Sequence, residues 1–206
     1  VVDAEVGQEL AEELRAVIAA ATTIRPDGQR GRQATELVRR ARELLEGPRR
    51  RRWYELDQPV DAAAIARSYA ALSPFRGTDN ALAPPLHTTR VDGPDGPFVE
   101  GRVRLGRAYE GPPHGVHGGV VAGLFDDMLG AAQRLSGSRG VTARLTVRYR
   151  ALTPIDTDLV LRARADEPSG RRVTCTATCR AGDTLTAEAE GLFVAVDLDG
   201  LAEGPT

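Results

Sequence analysis

One long helix with almost no polar side, followed by a run of strands, restricts this chain to very few folds. Residues 118–135 are mostly apolar and small, contain no proline, and end near Ser136-Gly137. From 141 to 151 the pattern switches to alternation. Val141, Ala143, Leu145, Val147 and Tyr149 fall on one face, and Thr142, Arg144, Thr146, Arg148 and Arg150 on the other. Further strands are expected near 157–166, 171–181 and 183–196, separated by Pro168-Ser169-Gly170 and Ala181-Gly182-Asp183. Upstream, 86–92 and 98–105 read as two strands around Gly93-Pro94-Asp95-Gly96. An apolar helix must be covered, and consecutive antiparallel strands supply a sheet that can curl around it. The expected class is therefore α+β.

The first third of the chain follows a different rule. Val6, Leu10, Leu14, Val17 and Ile18 recur at helical spacing over about 4–21. Pro26-Asp27-Gly28 reads as a breaker. A second helix is expected at 32–46, with Leu37, Val38, Ala41, Leu44 and Leu45 on one side, stopped by Gly47-Pro48. Arg49–Arg52 form a basic run, and a short third helix at 59–72 is entered through Pro59-Val60-Asp61. Pro74, Gly77, Asn80, Pro84 and Pro85 mark a loop draped over a surface, because Phe75, Leu82 and Leu86 need cover. The expected division is a helical extension at 1–72 and the helix-and-sheet domain at 73–206.

Composition removes several classes. No apolar run is long enough to span a bilayer, and the net charge of −2 gives no general drive towards nucleic acid. All the basic residues are Arg, which carries no functional reading. Cys175 and Cys179 lie on one face of a strand with backbones about 13 Å apart, too far for a disulfide. They read as reduced thiols of a cytoplasmic protein. Three histidines without an acid at ligand spacing give no metal site, and no cofactor is expected.

The chemistry concentrates in GPPHGVHGGVVAGLFDDM, residues 111–128. Gly118 and Gly119 allow close approach to a helix start, where unpaired N–H groups sit at the positive end of the macrodipole. Such a start can hold an oxyanion. At about 100° per residue, Asp126 shares a stripe with Gly119, Ala122, Gly123 and Gly130, a face open to another chain or a ligand. Asp127 falls nearer Val120, Leu124, Ala131 and Arg134, placed to pair with a neighbour or point to water.

These residues resemble the hotdog-fold acyl-CoA thioesterases, in the branch of the phenylacetate-pathway enzymes and the thioesterase-superfamily members. The match rests on the His-Gly-Gly start, here His117 to Gly119, and an Asp nine residues after the His, here Asp126. Thr142 stands where several of them carry a hydroxyl near the carboxylate. The Tyr-Glu-Gly-Pro-Pro lead-in at 109–113 and the Arg-Tyr-Arg-x-x-Thr-Pro strand end at 148–154 also match, so the resemblance covers roughly 85–196.

The resemblance implies a curved antiparallel sheet around the central helix, and a homodimer or dimer of dimers with sites between subunits. It implies hydrolysis of an acyl-CoA thioester, the Gly119 or Gly118 amide holding the oxyanion. Asp126 would activate water or attack directly, Thr142 would position, and His117 would shape the helix start. Further substrate contacts are expected from Val120, from His114 near the mouth, and from Arg148, Arg171 and Arg172 towards the CoA phosphates. The Arg49–Arg52 run is another candidate for those phosphates. No nucleic acid or membrane partner is implied. Three other readings share the fold: hydration or dehydration of a thioester, a non-catalytic acyl-CoA binder, and a regulator with a DNA-binding extension. The first lacks its motifs here, the second has no need of Asp126 and Thr142, and Glu5, Glu9, Glu12 and Glu13 oppose the third. The N-terminal helices are expected to cover the sheet or the dimer, or to act as a lid.

Overall fold

The structure, a computed structural model, describes residues 4–48, 55 and 62–196. Three helices come first: α1 (Ala4–Thr23), α2 (Gly28–Leu44) and α3 (Ala62–Leu72). Then follow β1 (His87–Gly93), β2 (Gly96–Arg104), α4 (Gly118–Gln133), β3 (Gly140–Tyr149), β4 (Asp158–Ala165), β5 (Arg172–Ala181) and β6 (Thr184–Ala195). The strands make one antiparallel sheet in the order β1-β2-β4-β5-β6-β3, curved around α4. This is the hotdog arrangement. No described helix is long and apolar enough to cross a membrane.

Size matching seats the helix. The sheet turns small residues inward: Gly101, Ala163, Ala177, Ala187, Ala189 and Gly191. The helix answers with Leu124, Phe125, Met128 and Leu129, all nearly or fully buried. A Cβ on Gly101 would stand 2.6 Å from the Met128 sulfur, so that strand position must stay bare. Cys175 and Cys179 share this inner face as free thiols. Burial, with Asp166 as a lesser cause, pushes the Cys175 thiol up to about 12, and burial also raises Cys179.

The outer face of the sheet is polar. Arg148 stands opposite Glu188, and Glu100 lies between Arg102 and Arg162. Burial alone would push the Glu100 carboxyl up, but the two guanidiniums overrule it and hold it below its ordinary value. Exposed pairs of this kind contribute little stability and chiefly keep the face wet.

Four details depart from the sequence pattern. Asp27 is a cap rather than a breaker. Its carboxylate accepts the Gln29 and Arg30 N–H groups at 3.0 and 2.9 Å, so α2 starts at Gly28 instead of 32. Leu82 is left 73% exposed, although Phe75 and Leu86 do pack inward as expected. The alternation along β3 breaks at a bulge: Thr142 pairs with Phe193 and Arg144 with Leu192, leaving Ala143 as the extra residue. Thr142 thereby joins Leu145, Val147 and Tyr149 on the helix side of the sheet, not the opposite face. Finally, Gly123 is not open, because the ring of Phe75 lies on it. Arg49–Arg52 and Pro59-Val60-Asp61 lie outside the described residues.

Candidate active site

The helix start is held by the two motif segments pairing with each other. The Val116 N–H donates to the Thr153 carbonyl at 2.8 Å, and the Ile155 N–H to the His114 carbonyl at 3.1 Å. The Thr-Pro turn after β3 thus fixes the loop that feeds α4. His117 donates its N–H to the Tyr109 carbonyl at 2.9 Å and then caps the helix. Its Nδ1 accepts the Gly119 N–H at 3.0 Å. That bond occupies the Gly119 amide. The Gly118 N–H has no partner among the described residues and stands at the positive end of the helix. Tyr149 donates its hydroxyl to the Gly118 carbonyl at 2.8 Å, clamping β3 to the same turn.

Asp126 and Thr142 meet. The Thr142 hydroxyl donates to Asp126 Oδ1 at 2.8 Å. Two devices make this possible: the bulge turns Thr142 inward, and Gln133 fixes the turn from α4 into β3. The Gln133 side chain is buried and uses both ends of its amide on Gly140, donating to the carbonyl at 2.8 Å and accepting the N–H at 3.1 Å. Asp126 remains half-buried, and a Cβ built on its stripe-mate Gly130 would meet nothing within 4 Å. The stripe is therefore open at Asp126 and Gly130, whereas at Gly119 the His117 ring stands 3.2 Å from where a Cβ would be.

The adjacent carboxylate does something else. Asp127 accepts from the Ser73 hydroxyl at 3.0 Å and pairs with the Arg76 guanidinium. Ser73 in turn accepts the Phe75 and Arg76 N–H groups, so the 73–76 turn is built around one hydroxyl. These contacts strap the preceding loop across α4, with Phe75 on Gly123. Of the two acids, Asp127 is committed to structure and Asp126 is available.

The other expected residues are scattered. His114 is exposed at φ 62°, its N–H donating to Glu110 at 2.7 Å. Val120 is half-buried beside the core. Arg148 sits on the outer face near Glu188, away from Asp126. Arg171 donates twice to the Ala195 carbonyl, at 3.2 and 2.9 Å, while Arg172 is exposed. Tyr149 was legible only as part of the strand-end motif, without its contact to Gly118, and Gln133, Ser73 and Arg76 were not legible in advance as parts of this region. A buried amide at a helix end was the signal available for Gln133.

Within one chain the Gly118 amide and Asp126 stand eight residues apart on the helix, about 12 Å at 1.5 Å per residue. That separation is too great for both to act on one carbonyl group.

Comparison with known proteins follows this geometry. The family model described as the thioesterase superfamily matches residues 114–188. Human acyl-coenzyme A thioesterase THEM5 is 29% identical over 96 residues, covering 46% of this chain and 39% of that protein. Bovine acyl-coenzyme A thioesterase THEM4 is 31% identical over 94 residues, covering 45% and 38%. The chain thus spans about two fifths of the length of these curated relatives. The crystal structure of protein RHA08564, a thioesterase superfamily protein, is 33% identical with a TM-score of 0.75, covering 91% of this chain and 94% of that one. Zebrafish thioesterase superfamily member 2, at 17% identity, shares the fold with a TM-score of 0.52 over 66% of this chain and all of that one.

Proposed function

The chain belongs to the thioesterase superfamily, and on that premise we propose that it hydrolyses an acyl-CoA thioester to the free acid and CoA, using a site built from two copies. The Asp126–Thr142 hydrogen bond beside the open Gly130 is the observation that carries this reading. Thr142 holds one carboxylate oxygen and leaves the other free to take a proton from water or to attack the carbonyl carbon. The Gly118 amide is the oxyanion donor in this reading, since His117 holds the amide of Gly119. The roughly 12 Å between the two groups supports a shared site, one copy giving the helix start and the other the acid. An exposed edge supports it as well. β3 ends the sheet, and its Val141 and Tyr149 are exposed where a second β3 can pair.

Exposed guanidiniums would hold the CoA phosphates. Arg172 suits this best, because it has no ion-pair partner among the described residues, whereas Arg148 faces Glu188 and Arg171 is spent on Ala195. Val120 borders the acyl side, and His114 the mouth. No cofactor enters the reaction, and two reduced buried thiols suit a cytoplasmic setting.

The test is thiol release from a panel of short, long and aromatic acyl-CoAs by the wild type and by Asp126→Asn. A fall of about 10²–10⁴-fold in kcat with fold and oligomer kept is expected. Equal hydrolysis by both would remove Asp126 from the mechanism. A wild type that binds acyl-CoA but turns over none would favour the non-catalytic binder.

A further inference from the structure

The α1–α2 arm has the physical signature of an interface. α1 is anchored: Ala11 is buried, Gln8 donates to Thr78 at 3.5 Å, and Arg15 donates to the Asn80 carbonyl at 3.1 Å. α2 is not anchored. None of its residues is buried, and among the described residues no element of its own chain packs along it. It diverges from α1 across a groove of about 1080 Å³ lined by Val17, Ala21, Ile24 and Val38. Yet α2 is strongly two-faced. Leu37, Ala41 and Leu44 form one apolar stripe, with Leu37 66% and Leu44 87% exposed. A helix of this length with no packed face is marginal in water.

The complement of that stripe exists in the same sequence. α1 presents Val6 and Leu10 outward at i and i+4, bordered by Glu9 and Glu13, and Val17 continues this stripe to the rim of the groove. The charges of the two helices are opposite. α1 carries four Glu and one Arg, net −3; α2 carries five Arg and two Glu, net +3. A self-complementary pair of faces on one chain is what a two-fold interface between identical subunits requires. We propose that a second copy of this chain covers the arm, α2 of each subunit lying along α1 of its partner, apolar stripe to apolar stripe and Arg30 and Arg40 towards Glu9 and Glu13. This exchange is independent of the thioester chemistry above, and it makes the first third of the chain an assembly element.

Amide hydrogen exchange across α2 tests it. In the wild type at micromolar concentration α2 amides are expected to exchange at least tenfold slower than the rate for an uncovered helix, with protection lost on dilution to monomer. Leu37→Glu with Leu44→Glu should abolish the protection and leave the α4 and sheet amides slow. Two charge reversals then locate the partner. Glu9→Arg with Glu13→Arg in one batch, and Arg30→Glu with Arg40→Glu in another, should each weaken protection alone and restore it when mixed. Weak protection in both batches that mixing leaves unchanged would place the contact within one chain and overturn the proposal. Fast exchange in the wild type at every concentration would overturn it too, as would protection that appears only with anionic phosphatidylglycerol vesicles.

Discussion

Gly123 is bare because Phe75 lies on it: a Cβ there would sit 2.0 Å from the ring edge. Gly123→Ala should therefore cost about 1–3 kcal/mol of unfolding stability, measured by urea denaturation, and Phe75→Ala in the same chain should return part of the loss. Thr142→Val removes a hydrogen bond between two solvent-accessible side chains, which contributes little to folding stability. If the bond holds Asp126 ready to act, kcat should fall about 10–100-fold while the melting temperature changes little. Asp126 was legible from helical spacing, whereas Thr142 was reached only through the resemblance, which sets a hydroxyl near that carboxylate. The partner of Asp127 was not legible. Ser73 and Arg76 lie more than fifty residues away in sequence, in a loop with no periodicity to place it. The roles of the two glycine amides were equally hidden, since only the His117 side-chain geometry separates Gly119 from Gly118.

At the level of elements, the helices and strands follow from period and punctuation, and their errors have local physical causes. Asp27 was read as part of a break because Pro and Gly flank it, yet a carboxylate in that place is also a helix cap. The β3 bulge had no signature, because the sequence alternates straight through Ala143. Its effect is functional in this account, since a regular β3 would turn Thr142 away from α4. The turn into β3 depends on Gln133, so Gln133→Leu should leave both Gly140 backbone groups unpaired and cost about 2–4 kcal/mol, with kcat reduced through a displaced Thr142. The strap depends on a mostly buried ion pair. Arg76→Ala, which strands Asp127, should cost about 3 kcal/mol, more than the double change Arg76→Met with Asp127→Leu. Urea midpoints of the two variants give the comparison.

For the whole molecule, a core lined by small residues and two cysteines implies a pH response. An ordinary thiol titrates near 9.0, whereas folded Cys175 is held up to about 12. Between these values only the unfolded chain releases the proton, so this contribution is complete below pH 9 and is lost as pH rises towards 12. The urea midpoint should fall over that window, and Cys175→Ala should fall less steeply. Assembly is the other property of the whole, and it bears on the central claim that each site takes its oxyanion donor from one copy and its acid from another. Gly118→Pro deletes the donor amide at a first helical position that tolerates proline, the preceding His117 having an extended ψ of 130°. Pairing it with Tyr149→Phe in that chain removes the hydroxyl that would stand 3.2 Å from the new Cβ. The most direct measurement is acyl-CoA hydrolysis by this variant, by Asp126→Asn, and by an equal mixture refolded together. Each alone should be inactive, and the mixture should recover roughly a quarter of wild-type activity, because half of randomly assembled dimers are mixed and each mixed dimer holds one intact site of two. A mixture that stays inactive, with mixed dimers demonstrated by mass, would contradict the shared site.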